Sequence, residues 1–148
     1  MGRIVKSVEY EIEKIKNSRF IGYGFPLIGS SSIDEKIMIV RHRHPKAGHF
    51  CFAWRRSNGE EGSSDDGEPR GSAGAPILQR LTGFDLVDTL IVVVRYFGGT
   101  KLGVGGLVRA YGQTARSTIE RAEIEEVVIK QSLSFQYPYD LETNIMGV

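Results

Sequence analysis

Apolar and polar residues alternate along residues 7–28. Tyr10 and Ile12 are interleaved with Glu11 and Glu13, and Ile21, Tyr23, Phe25 and Leu27 recur at every second position. A period of two sends successive side chains to opposite faces of a strand. Asn17-Ser18 lies between the two stretches, so the pattern predicts a β-hairpin. At Ser32 the period changes. Ile33, Ile37 and Val40 share one face of a helix, and Ser32 with Glu35 forms a capping box. That helix runs to about His44, where Pro45 stops it.

Alternation returns in "GHFCFAWRRS". Phe50, Phe52 and Trp54 point one way, and His49, Cys51 and Ala53 the other. Residues 57–71 are polar and glycine-rich, which predicts a loop. Pro76 suits the first turn of a helix whose apolar face is Ile77, Leu78 and Leu81 and whose end is Gly83. "TLIVVVRY" is a continuous apolar run, predicting a central strand covered on both faces. The longest helix is expected over about residues 103–122. Leu107, Val108, Tyr111, Ala115, Ile119 and Ala122 fall on one side of it, and Arg109, Gln113, Arg116 and Glu120 on the other. "VVIKQSLSFQYPY" then alternates again, with Leu133, Phe135 and Tyr137 on one face. The predicted order is ββ-α-β-α-β-α-β, an α+β sandwich.

Composition narrows the classes. The 148 residues suffice for one domain with a core. Nineteen Lys and Arg against 18 Asp and Glu leave a net charge of +1, so any basic surface is local. The single cysteine, Cys51, forms no internal disulfide, which fits a reducing compartment. The first 20 residues hold no signal-peptide core, and the longest apolar runs, "LIVVV" and "FCFAW", have five residues, too few to span a membrane. These features predict a soluble cytoplasmic protein.

Chemistry concentrates in "RYFGGTKLGVGGLVRAYG". Gly98, Gly99, Gly103, Gly105 and Gly106 lie within nine residues, between the apolar strand and the long helix. A glycine-rich entry to a helix exposes N–H groups to an anion, and Arg95, Lys101 and Arg109 add charge. Tight strand-to-helix packing accounts for the glycines equally well. Neither the P-loop nor the dinucleotide fingerprint fits the spacing. In "SSDDGEPRG", Asp65, Asp66 and Glu68 are able to hold Mg²⁺ or act as acid and base, or to form a solvated loop. His42 and His44 diverge on a helix. His49 and Cys51 share a strand face but make only two ligands, which argues against a metal site. The basic run "RHRHPK" (41–46) with "WRR" (54–56) is able to meet phosphates, but without an aromatic stacking pattern it reads rather as a solvated face.

The stretches "AGHFCFAW", "SSDDGEPRGSAGAPIL" and "VVVRYFGGTKLGVGGLVRAYG", in this order, resemble the IMPACT family, including its YigZ-type bacterial members. The resemblance covers about residues 5–127. It implies a two-layer βα sandwich like the second domain of ribosomal protein S-five, with a left-handed βαβ crossover. It makes residues 1–128 the IMPACT N-terminal domain. Residues 129–148 would be the first strand of a truncated, ferredoxin-like C-terminal domain. The positions matching the family motifs are His49, Asp65, Asp66, Glu68, Pro69, Gly71, Gly74, Arg95, Tyr96, Phe97, Gly98, Gly99, Lys101, Gly103, Gly105, Gly106, Arg109 and Tyr111. Ser72 stands where the family commonly has threonine.

Eukaryotic relatives regulate translation through an activator of a starvation-sensing kinase, partly by a separate N-terminal domain, so that regulation does not carry over. The resemblance implies a translation-linked role, and the lack of a recognised catalytic constellation favours a non-enzymatic binding protein without a cofactor, whose partner is RNA, a ribosome-associated component or an anionic ligand. Asp65, Asp66, Glu68, Arg70, Arg95, Lys101, Gly103, Gly105, Gly106 and Arg109 are the expected ligand-binding residues, gathered in one cleft. The alternative is a phosphate-handling or hydrolytic enzyme using Asp65, Asp66 and Glu68 with Mg²⁺.

Overall fold

In the computed structural model, which describes residues 1–29 and 32–128, the apolar run becomes the middle strand of a five-stranded sheet. The elements are β1 (Gly2–Ile4), β2 (Val8–Glu11), β3 (Arg19–Pro26), α1 (Ile33–Arg43), β4 (His49–Arg55), β5 (Glu61–Ser64), α2 (Gly74–Gly83), β6 (Thr89–Tyr96), α3 (Gly103–Glu120) and β7 (Ile124–Glu126). The main sheet has the order β2-β3-β6-β4-β5, and every neighbouring pair is antiparallel. From Leu90 to Val94 β6 is apolar without a break, because helices cover both of its faces. Ile91 and Val93 join one core with α2 and α3, while Leu90, Val92 and Val94 join another with Ile37 and Val40 of α1. The fold is α+β, as expected, with α2 and α3 forming one layer on the sheet and α1 a smaller cover opposite.

Local chemistry explains the boundaries. The hairpin closes through Lys16 and Asn17, both at positive φ (46° and 67°), one residue earlier than the sequence suggested. Ser32 caps α1 by accepting the Glu35 N–H at 3.2 Å, as its capping box predicts. In β4, Cys51 and Ala53 face α2 and α3, whereas Phe50 belongs to the α1 side. At Gly22 the sheet and α3 approach so closely that a Cβ would lie 1.9 Å from Thr118 Oγ1. A helix face lined by Thr114 and Thr118 therefore packs against β3 at one position, Gly22, that carries no side chain.

Two expectations, for residues 57–71 and for Val108, need correction, and two further features were not expected. The polar stretch 57–71 contains a strand, β5, paired with β4 through Phe52–Ser64, Ala53–Ser63, Trp54–Gly62 and Arg55–Glu61. β1 and β7 form a second, two-stranded sheet with Gly2 opposite Glu126. Three-residue strands carry too little pattern to be read from sequence. Val108 is 36% exposed, because the buried face of α3 is centred on Leu107, Tyr111, Ala115 and Ile119, with Thr114 and Thr118 beside it. A contact not expected from the sequence is that of His44, which has Tyr23 Oη 2.7 Å from its Nε2 and Tyr96 Oη 2.6 Å from its Nδ1. The strand expected around Leu133, Phe135 and Tyr137 lies outside the described residues. Among the described residues no helix is long and apolar enough to cross a membrane.

Candidate functional site at the start of helix α3

β4 and β6 bring His49 opposite Arg95 in the sheet register. The turn after β5 lowers Glu68 onto the same place. Its carboxylate accepts from Arg95 Nη1 at 3.0 and 2.9 Å, and from the Tyr111 hydroxyl of α3. Both partners of the ion pair are buried, with side chains 6% and 4% exposed. Burial, followed by the nearby Cys51 and Glu68, pushes the Tyr111 phenol far above its ordinary value, so it stays protonated and donates. His49 donates from Nδ1 to the Asp66 carbonyl at 2.8 Å. This turns Nε2 toward Glu68 Oε1, 3.7 Å away. Arg95 also donates from Nη2 to Ser18 Oγ at 3.3 Å, while its buried Nε has no partner among the described residues.

The glycine run follows directly. Gly98 donates its N–H to Ser18 Oγ at 3.1 Å, and a Cβ there would lie 2.1 Å from the Asn17 backbone. No side chain fits against that backbone, which explains the glycine by close approach. Gly103 opens α3 with φ +77°, a conformation that side-chain-bearing residues seldom adopt. Leu102 at the N-cap makes no side-chain capping bond, and the first turn holds no acidic residue. The opening N–H groups of an α-helix lack intrahelical acceptors and carry the positive end of its dipole. The packing and anion readings of the glycines thus apply to different positions of one run.

A pocket of about 370 Å³ lies against this turn. Lys101, Gly103 and Val104 border it on the helix side, and His49, Glu68 and Arg95 on the sheet side. Phe97, 58% exposed, and the apolar Leu102 and Leu107 complete much of its lining.

Only part of the expected cleft assembles here. Glu68, Arg95, Lys101 and Gly103 meet at the pocket, whereas Asp65, Asp66, Arg70, Gly105, Gly106 and Arg109 do not line it. Asp65 accepts the N–H groups of Gly71, Ala73 and Gly74 at 2.9, 3.1 and 2.8 Å, capping α2 from the start of the loop that leads into it. Burial alone would raise its carboxyl, but those bonds outweigh burial and hold it below the usual range. Asp66 accepts the Phe50 N–H at 2.7 Å and faces Arg41 at 3.6 Å. Arg70 and Arg109 are exposed. The three carboxylates therefore face three different sets of partners. Among the described residues no three His, Cys, Asp or Glu side chains converge to hold a metal. Cys51 is buried, donates to the Asp65 carbonyl at 3.1 Å and has its thiol pushed up to about 12 by burial, which keeps it a protonated core residue at neutral pH.

Sequence reasoning missed Ser18, Leu102, Val104 and Leu107. A serine in a hairpin turn carries no signal of its own. Apolar residues at an uncapped helix start were the available clue to the pocket wall.

Residues 16–119 match the Impact N-terminal domain. The chain belongs to the IMPACT family. It is 37% identical over 138 residues to IMPACT family member YigZ of Escherichia coli, covering 90% of this chain and 68% of that protein. An IMPACT family member of Haemophilus influenzae is 39% identical over 134 residues, covering 88% of this chain and 65% of its own length. A crystal structure of a hypothetical protein superposes with a TM-score of 0.79 at 38% identity, covering 84% of this chain and 62% of that one. This IMPACT-family chain thus spans about two thirds of the length of these two bacterial relatives, and 62% of that solved chain.

Proposed function

We propose that this IMPACT-family chain is a non-enzymatic, translation-linked binding protein that holds an anionic partner, RNA or an RNA-bearing ribosomal surface, at the start of α3. The observation that carries the reading is the first turn of α3. It has no capping side chain and no acidic residue, it follows Lys101, and it borders a pocket. Donor groups in this arrangement favour a phosphate oxygen. The family resemblance, whose eukaryotic members regulate translation, supports the translation link. Mg²⁺-dependent hydrolysis by the acidic loop is the weaker reading, since Asp65, Asp66 and Glu68 each have separate structural partners.

Co-sedimentation with ribosomes and binding to short RNA, each over a series of salt concentrations, tests the proposal. Association should weaken as salt rises. Lys101→Ala should lower the log–log salt slope by about 0.7–0.9, the loss of roughly one phosphate contact. Salt-independent association that Lys101→Ala leaves unchanged would refute it.

A further inference from the structure

Resting on that reading and narrowing it to one ligand class, we infer that the pocket takes a single nucleoside phosphate, its phosphoryl group at the α3 N–H groups and Lys101 and its base against Phe97. Three features of the pocket carry this.

The first is size. About 370 Å³ sits at the lower end of the roughly 300–1,000 Å³ of small-molecule sites. One nucleotide unit is of that order, whereas duplex RNA is read across a broad groove surface.

The second is the division of the lining. Lys101 and the open turn of α3 make one part polar and positive; Phe97, Leu102, Val104 and Leu107 make another apolar. A simple inorganic anion uses only the first part, and a plain hydrocarbon only the second. A phosphorylated base uses both. Phe97 has the form of a stacking platform: a large ring left 58% exposed beside the pocket, with the Arg95 guanidinium carbon 5.5 Å from its centroid.

The third is a set of polar atoms left over on the sheet side. Arg95 is buried and lines the pocket, yet its Nε–H has no partner among the described residues. Buried donors are rarely left in that state. Nη1 and Nη2 are already engaged by Glu68 and Ser18, so an acceptor brought in by a ligand at the Nε edge would satisfy this group with the Glu68 pair intact. Nearby, His49 Nε2 and Glu68 Oε1 stand 3.7 Å apart, too far for a hydrogen bond, and both border the pocket. Glu68 Oε1 is already engaged by Arg95, so His49 Nε2 is the group of the two that can meet the edge of a base.

Titration of the whole chain with adenosine 5′-monophosphate, followed by amide chemical shifts and calorimetry, tests the assignment. Inorganic phosphate, adenosine, a phosphotyrosine peptide, and a tetranucleotide with and without a 5′-phosphate are the comparison ligands. Adenosine 5′-monophosphate should bind more tightly than phosphate or adenosine, shifting the amides of Gly103 to Leu107. Phe97→Ala, a change at an exposed side chain, should weaken it roughly tenfold, the scale of one lost base stack, and leave phosphate affinity unchanged. Lys101→Ala should weaken both.

Tighter binding of the 5′-phosphorylated tetranucleotide than of the mononucleotide would mark an RNA end as the source of the ligand, and equal binding a free nucleotide; either supports the site. Equal affinity for phosphate and adenosine 5′-monophosphate, amide shifts elsewhere, or binding of the phosphotyrosine peptide alone would overturn it. If nucleotides fail while ribosome association stays dependent on salt and Lys101, the nucleotide assignment falls and the broader function stands. Loss of that dependence as well removes both.

Discussion

Arg95 and Glu68 meet across 27 residues of chain, with one guanidinium nitrogen 3.0 and 2.9 Å from the two carboxylate oxygens. The pair is buried beneath the pocket and joined by the Tyr111 hydroxyl, so it couples β6, the acidic turn and α3. Glu68 belongs to the site as a fixed wall more than as a free acid.

Removing one partner of this pair leaves a buried charge without its counter-ion. Arg95→Met and Glu68→Leu should each destabilise the fold by about 3–5 kcal/mol, and the double variant by less than their sum. Urea unfolding of the three variants forms the cycle. Strict additivity would show that the two side chains are not energetically coupled.

Val104 is 55% exposed in the first turn of α3. A carboxylate there complements the helix dipole, so Val104→Glu should raise stability by about 0.3–1 kcal/mol. The same charge competes with an anion for the open N–H groups. Phosphate binding should therefore fall while the melting temperature rises. A variant that binds phosphate as well as the parent would contradict the anion site.

Loss of Asp65 affects a different element. Asp65→Ala leaves the N–H groups of Gly71, Ala73 and Gly74 without their acceptor, at a cost of roughly 1–3 kcal/mol. Because its folded carboxyl titrates below the usual range, the parent should lose this contribution as pH falls through that lowered value. Hydrogen exchange at the start of α2 should accelerate in the variant. Unchanged protection there would rule out capping by Asp65.

His44 has the opposite chemistry but the same direction in pH. Burial, with Arg19 and Arg43 adding to it and Glu9 and Glu11 opposing, lowers its value below the ordinary 6.5. As pH falls, the unfolded chain takes up the proton first. Stability held by neutral His44 is complete above about 6.5 and is lost as pH drops toward the lower folded value. Unfolding free energies measured across that window should slope less in His44→Gln than in the parent. Identical slopes would exclude His44 as the cause.

The long elements were legible because their periods were long enough to count. β6 was read at its observed limits, and the start of α3 and the cap of α1 fell where the glycine run and Ser32 put them. β5 was hidden because Glu61–Ser64 lies on an edge, where polar residues tolerate pairing and leave no apolar alternation. For the site, residue type marked the right neighbourhood but not the geometry. Asp65, Asp66 and Glu68 lie within four residues of sequence, yet one caps a helix, one caps a strand N–H and one enters the core. Which way each carboxylate turns depends on contacts with β4, α2 and β6 that no local pattern encodes.

The small β1–β7 sheet has a mechanical meaning. Gly2 lies opposite Glu126, and the Val127 N–H reaches the Met1 carbonyl at 2.7 Å, so Met1 and residue 127 lie side by side at one end of the ladder. Tension applied between those two points loads the bonds one after another, as in opening a zip, instead of sharing the load along the strands. Under a pull at those two points this seam is the weak link. It should open at low force, while the sheet that carries the Arg95 pocket still stands.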